Sequence, residues 1–122
     1  MIQILLVEEK ATIRHGVRMR LSLEPDFSVV GEVGDGNEAR AMVRKLRPDV
    51  VLTGIRLPGM DGIALAERLH IEFPECVVVI LSLYDDPDTR KRAMEAGAAS
   101  FISKQNPNRD IPETIRLVMV DK

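Results

Sequence analysis

Several residue types that would indicate particular functions are scarce or absent in this sequence. It contains no Trp, one Tyr and three Phe among 122 residues, too few aromatic rings for a surface that stacks nucleic-acid bases. Its 17 Lys and Arg against 19 Asp and Glu give a net charge of −2, so we expect this segment by itself to bind no nucleic acid. The single cysteine, Cys76, excludes an internal disulfide bond and is typical of a reducing cytoplasm.

Long hydrophobic runs are also missing. Apolar runs such as residues 77–81 are far shorter than the roughly 20 residues that a membrane-spanning helix needs, so we predict no association with a membrane. We recognise no signal peptide before the first charged residue, Glu8. With 122 residues, 45% of them hydrophobic, the chain is predicted to form one domain around a single core.

Short apolar runs alternate with helical patterns along the whole chain. The predicted strands are residues 2–7, 27–33, 50–53, 77–81 and 99–102. Helical spacing of apolar residues follows each strand, and the fourth helix is predicted to stop at Gly97. Five alternations of this kind predict an α/β fold, a doubly wound parallel sheet with helices on both faces.

The central segment, residues 48–62, reads P-D-V-V-L-T-G-I-R-L-P-G-M-D-G. Its apolar, β-branched start predicts a strand buried on both faces, and Pro58-Gly59 predicts a turn. Asp61-Gly62 then precedes a helical pattern. Ligands in open α/β sheets bind beyond the carboxyl ends of the strands, so this corner is the predicted site.

The run L-P-G-M-D-G at residues 57–62 resembles the loop that follows the phospho-acceptor aspartate in receiver domains of bacterial two-component response regulators. The resemblance covers nearly the whole of residues 1–122 and implies a flavodoxin-like (βα)5 fold with strand order 2-1-3-4-5. In that family an aspartate stands three residues before the loop. Here that position holds Gly54, so the resemblance implies a receiver without a phospho-acceptor.

The same resemblance assigns the other residues at the strand ends. Glu8 and Glu9 stand where the family has an acidic Mg²⁺-binding pair, and the Arg56 carbonyl would complete the metal shell. Ser82 and Lys104 match the hydroxyl and the lysine that contact the phosphoryl group. Each residue alone reads as an ordinary strand-end acid, turn serine or exposed lysine, but together they stand at the expected strand ends.

The glutamates are one methylene longer than aspartates, and Mg²⁺ demands near-octahedral oxygens. We therefore predict no tightly bound cofactor, and Mg²⁺ binding that is weak at most, at Glu8, Glu9 and the Arg56 backbone. Because the pocket has no third acid, Lys104 is expected to pair with Glu8 or Glu9, directly or through a water molecule.

Two features outside the pocket remain open to two interpretations each. Phe101, three residues before Lys104, is either the family's switch aromatic or a plain core residue. On the last helix, Leu117 and Val120 form a second apolar strip beyond the core-facing positions. This strip predicts a contact with a protein partner or a second copy, although isolated surface apolar residues are common.

The runs D-F-S-V-V-G-E at 26–32, D-G-N-E-A at 35–39 and I-L-S at 80–82 resemble receivers joined to a LuxR-type helix-turn-helix. The first hypothesis is a degenerate, non-enzymatic receiver domain of a transcription regulator, acting through protein interaction and followed by an output domain beyond residue 122. A second is a working phospho-switch that uses Asp61, Glu8 or Glu9 instead. A third is a sensor whose emptied pocket binds a small ligand.

Overall fold

The computed structural model describes residues 1–83, 86–104 and 110–120, and its elements alternate strand and helix along the chain. The strands are β1 Ile2–Val7, β2 Phe27–Val33, β3 Val50–Thr53, β4 Val77–Ser82 and β5 Ser100–Ser103. The helices are α1 Ala11–Ser22, α2 Gly36–Leu46, α3 Gly62–Glu72, α4 Pro87–Glu95 and α5 Ile111–Val120.

All strand pairs are parallel, and the order across the sheet is β2-β1-β3-β4-β5. The predicted flavodoxin-like fold is therefore confirmed. The strand order places the short, fully buried β3 at the centre of the sheet. Because neighbouring parallel strands end at the same edge, the segments after β1, β3, β4 and β5 meet there.

Alternating side chains of the strands form one apolar layer on each face of the sheet. In β1, Leu5 and Val7 pack into the layer that α2, α3 and α4 cover. Ile4 and Leu6 point the other way, into the layer that Leu21 of α1 and Ile115 of α5 close. This alternation is the period-two pattern of a strand buried on both sides.

Helix boundaries follow local capping chemistry. Asp35 and Asp61 accept hydrogen bonds from the first turns of α2 and α3, and Asp86 does so for α4, which begins at Pro87. Gly97, in the left-handed region with φ 106°, follows the end of α4 as predicted. Within the described residues, no helix is both long and apolar enough to cross a bilayer.

Candidate functional site

A cavity of about 270 Å³ opens at the carboxyl edge of the sheet, above the central strand. The residues that line it come from segments far apart in the sequence. They are Glu8, Glu9, Lys10, Ile13, Gly54, Ile55, Arg56, Leu81, Ser82, Leu83 and Lys104. The predicted pocket residues Glu8, Glu9, Gly54, Arg56, Ser82 and Lys104 thus meet in one place.

Glu8 and Lys104 form an ion pair across this cavity. Glu8 Oε1 lies 3.5 Å from Lys104 Nζ, and the two side chains keep only 14% and 19% of their surface exposed, respectively. A partly buried pair is less screened by solvent than a surface pair. Of the two pairings expected for Lys104, direct or through a water molecule, the direct one is present, and its partner is Glu8.

The backbone around Glu8 is held at several points. Its N–H donates to the Val33 carbonyl at 3.0 Å, and its carboxylate Oε2 accepts from the Lys10 N–H at 3.0 Å. The Glu8 carbonyl accepts from Arg14 Nη1 at 2.7 Å. Arg14 is paired in turn with Glu32 of β2 at 3.5 Å.

Gly54 ends the central strand with open space above it. A Cβ atom placed there would meet Glu8 Oε1 at 3.5 Å, Glu8 Cδ at 3.9 Å and the Leu81 carbonyl oxygen at 3.9 Å. These are ordinary van der Waals distances, and Gly54 is not among the glycines with positive φ. Neither the backbone conformation nor the packing therefore requires glycine at this position.

Ser82 and Phe101 are both buried, on the two strands at the far side of the pocket. The Lys104 N–H donates to the Ser82 carbonyl at 2.8 Å, which joins the ends of β4 and β5. Phe101 packs in the core layer beneath α4, and the Arg90 guanidinium carbon lies 4.8 Å from the centre of its ring. This position is compatible with both interpretations of Phe101.

Asp61 lies outside the residues that line this cavity. Its carboxylate is the N-cap of α3, where Oδ1 accepts from the Ala64 N–H at 2.8 Å. The Gly62 N–H donates to the Ile55 carbonyl at 2.7 Å and closes the loop. The carboxylate of Asp61 therefore serves the helix and is not directed at Ser82 and Lys104.

The donor set does not fit a tight Mg²⁺ site. Gly54 offers no side-chain oxygen, and both oxygens of Glu8 already accept from nitrogen atoms. Glu9 is the remaining exposed carboxylate on the cavity wall. Throughout residues 1–83, 86–104 and 110–120, no three His, Cys, Asp or Glu side chains are grouped closely enough to hold a metal ion.

The predicted apolar strip of α5 is exposed. Leu117 and Val120 keep 61% and 80% of their surface accessible, whereas Ile115 is buried. Arg116 anchors the helix, since it donates to Asp26 and to Glu24 at distances down to 2.6 Å. The hydrogen bond from Arg116 holds the pKa of the Asp26 carboxyl below its usual range.

Sequence reasoning missed Arg14 and Lys10 as parts of this site. The contact of Arg14 with Glu8 depends on the turn between β1 and α1. Its second partner, Glu32, comes from the neighbouring strand. The spacing of charges along α1 carries no signal for either contact.

Comparison with known proteins gives one consistent family. Residues 4–116 match the model of the response regulator receiver domain. The chain is 33% identical over 116 residues to the transcriptional regulatory protein LiaR of Bacillus subtilis, covering 95% of this chain and 55% of that protein. It is 31% identical to DegU of Brevibacillus brevis, covering 96% of this chain and 50% of that protein. The chain thus spans about half the length of these curated relatives.

Solved structures agree with the sequence matches. The receiver domain of the putative response regulator NarL from Mycobacterium tuberculosis superposes with a TM-score of 0.86 at 30% identity, covering 98% of this chain and 94% of that one. A LuxR-family two-component response regulator from Aurantimonas gives a TM-score of 0.93 at 25% identity, with 98% and 86% covered. The matches by fold and by sequence are therefore both to response regulators.

Proposed function

This chain belongs to the response regulator receiver domain family, and we propose that it is a receiver that regulates its protein without accepting a phosphoryl group. It acts through protein contacts, held in one dominant arrangement or shifted by a partner. A switch is a bias between populations, so losing one chemical input does not remove the two states. The receiver module then remains useful as an interaction domain.

Gly54 carries this proposal. Acyl-phosphate formation needs a carboxylate nucleophile at the end of the central strand, and glycine offers no reactive atom there. The remaining carboxylates are poor substitutes. Asp61 is engaged as a helix cap, and Glu8 is paired with Lys104. Glu9, at the cavity wall, is the substitute that the phospho-switch hypothesis would have to use.

Phosphate incorporation tests the proposal directly. The protein is incubated with Mg²⁺ and acetyl phosphate, and its intact mass is measured before and after acid or hydroxylamine treatment. The expected result is no acyl-phosphate adduct. A Gly54→Asp variant, treated in parallel, shows whether a carboxylate at this position is sufficient. A stoichiometric labile adduct on the unaltered chain would contradict the proposal and support a substitute acceptor.

We further propose that the full protein is a transcription regulator with a C-terminal DNA-binding domain. The support is the family, the names of the curated relatives and the half-length coverage of those relatives. The cytoplasmic location expected from the single cysteine stays a prediction. Reading the gene downstream of the Lys122 codon tests the domain proposal, because a helix-turn-helix pattern is expected there and an immediate stop codon would contradict it.

The exposed strip of α5 is the proposed contact surface, for a partner or a second copy. Leu117 and Val120 are large, exposed apolar side chains on a helix that already buries Ile115 in the core. Met19 and Leu23, at the end of α1, are exposed on the same side of the sheet. Helices α1 and α5 thus cover the same face of the sheet, and each presents exposed apolar side chains to solvent.

Sedimentation of the wild type and of a Leu117→Glu, Val120→Glu variant tests this surface. The expected result is self-association that weakens in the variant. Ile71→Glu is the control, because Ile71 is exposed to a similar extent as Leu117, 66% against 61%, on a helix of the opposite face. If the wild type is monomeric and the variant binds the same partners equally well, α5 is not the interface.

The cavity itself favours a second candidate function, a small-ligand sensor. It measures about 270 Å³, and its wall combines apolar Ile13 and Leu83 with charged Glu9 and Lys104. Saturation-transfer NMR with a panel of small amines and carboxylic acids would detect binding. A Gly54→Leu variant, which fills the cavity, is the control. Binding that survives this filling would place the ligand elsewhere.

A further inference from the structure

One oxygen atom, Oε1 of Glu8, lies close both to Lys104 and to the space above Gly54. It is 3.5 Å from Lys104 Nζ and 3.5 Å from the position that a Cβ on residue 54 would take. An acidic side chain rising from residue 54 would thus enter the space beside this oxygen. The carboxylate of Glu8 already supplies a negative charge there.

The length of glutamate favours this position. Compared with aspartate, the extra methylene adds one carbon–carbon bond, about 1.5 Å, to the reach of the carboxylate from the end of β1. That extra length disfavours the close, near-octahedral oxygens that Mg²⁺ requires. In the structure the longer side chain reaches across the cavity to a lysine 96 positions away in the chain.

Neighbouring groups hold both the carboxylate and the backbone carbonyl of Glu8. Oε2 accepts from the Lys10 N–H, which leaves Oε1 directed at Lys104. The Arg14 guanidinium holds the Glu8 carbonyl and is tied to Glu32, which Arg18 also binds at 2.8 Å. A carboxylate fixed in this way loses less entropy when it pairs than a free side chain does.

Glu9 provides a contrast within the same cavity. It has the same charge and lines the same wall, but its side chain is exposed. In the part of the chain that the structure describes, Glu9 makes no ion pair with Lys104. Two adjacent glutamates therefore differ in burial and in partner, and only one of them neutralises the lysine.

We propose that Glu8 is an internal stand-in for the missing acceptor side chain: its carboxylate holds Lys104 inward and closes the lysine to outside oxyanions. The inference rests on the proposed function, since it explains how a receiver without an acceptor keeps its lysine paired. Breaking the pair frees Lys104 and turns the cavity into an anion site. In the intact pair, the Glu8 carboxylate takes the place beside Lys104 that an oxyanion would otherwise take.

Inorganic phosphate is the probe, and Glu8→Gln and Glu9→Gln are the matched variants. Both substitutions remove one negative charge from the same cavity wall, so their long-range electrostatic effects are the same. Binding is followed by NMR at the amides of Ser82 and Lys104. We expect Glu8→Gln to bind phosphate at least about tenfold more tightly than the wild type, and Glu9→Gln to show only the smaller gain that follows from losing one nearby negative charge.

The reactivity of Lys104 gives a second measurement. Limited acylation followed by mass spectrometry of peptides compares its labelling rate with that of the exposed Lys91, whose side chain keeps 76% of its surface. The expected result is slow labelling of Lys104 in the wild type and in Glu9→Gln, and a several-fold increase in Glu8→Gln. Equal effects of the two variants, or no effect of Glu8→Gln, would overturn the inference.

A Lys104→Met variant tests the same pair from the other side if Glu8→Gln does not fold. Methionine keeps an unbranched stem and removes the charge. Because the Lys10 N–H donates to Glu8 Oε2, its amide resonance reports the position of the carboxylate. We expect that resonance to shift, and an unchanged resonance would contradict the inference. Phosphate incorporation into the wild-type chain is a separate outcome, which would refute the proposed function instead.

Discussion

Gly54 and Gly62 stand at the two ends of the central loop and have opposite reasons for being glycine. A Cβ on Gly62 would lie 1.9 Å from the Gly54 carbonyl oxygen and 2.9 Å from Ile55 Cα. A Cβ on Gly54 would meet no atom closer than 3.5 Å. Packing therefore requires glycine at residue 62, and nothing in the fold requires it at residue 54.

This difference separates residue 54 from the loop that follows it. Gly36 approaches the loop as closely, since a Cβ there would lie 1.9 Å from the Met60 carbonyl oxygen, and its N–H donates to the Pro58 carbonyl at 3.1 Å. The run L-P-G-M-D-G thus joins β3, α2 and α3. A loop of this kind is a feature of the fold, and residue 54 lies outside it.

Gly62→Ala should have the largest effect on stability. The added methyl group overlaps a backbone carbonyl that cannot move without shifting the end of β3, so we expect unfolding to become easier by about 3 kcal/mol. Urea denaturation measures the change. Gly16→Ala is the control, because Gly16 lies in α1 with nothing within 4 Å of its Cβ position; it should stabilise the protein by roughly 0.5–1 kcal/mol.

Gly54→Asp should have an intermediate effect, electrostatic in origin. The new carboxylate rises beside Glu8 Oε1, so it repels that charge and competes for Lys104. In the absence of Mg²⁺ we expect the variant to be less stable than the isosteric Gly54→Asn by about 1 kcal/mol. Added Mg²⁺ should reverse part of that loss, which calorimetry and thermal denaturation measure. An aspartate variant as stable as the asparagine variant would show that Glu8 had moved away.

Gly54→Ala should have the smallest effect and should act in the opposite direction to Gly62→Ala. A methyl group fits the space, and the backbone there does not lie in the left-handed region. Because alanine restricts the unfolded chain more than glycine does, we expect a gain of about 0.5 kcal/mol. Urea denaturation under the same conditions provides the comparison. A loss as large as that of Gly62→Ala would remove the distinction between the two glycines.

Most of the fold could be predicted because its signals are local. The strand patterns and the stop at Gly97 depend on neighbouring residues, and five strands and the end of α4 at Gly97 agree with the structure. The predicted strand 99–102 is displaced by one residue from Ser100–Ser103. Pairing with β4, from Val79 opposite Ser100 to Ser82 opposite Ser103, decides that boundary. A register between strands is not contained in either strand alone.

The sequence by itself determined the elements, their order along the chain and the residue types at each strand end, because periodicity and turn chemistry act over a few residues. It also determined that residue 54 has no reactive side chain. Only the tertiary structure decided which glutamate pairs with Lys104, since that choice depends on the parallel ends of β1 and β5 and on the hold of Arg14 on Glu8. It likewise decided that Asp61 is a helix cap turned from the cavity and that Gly54 has room above it. The pairing of Glu8 with Lys104 and the room above Gly54 are distances between segments far apart in the chain, and such distances exist only once the sheet has formed.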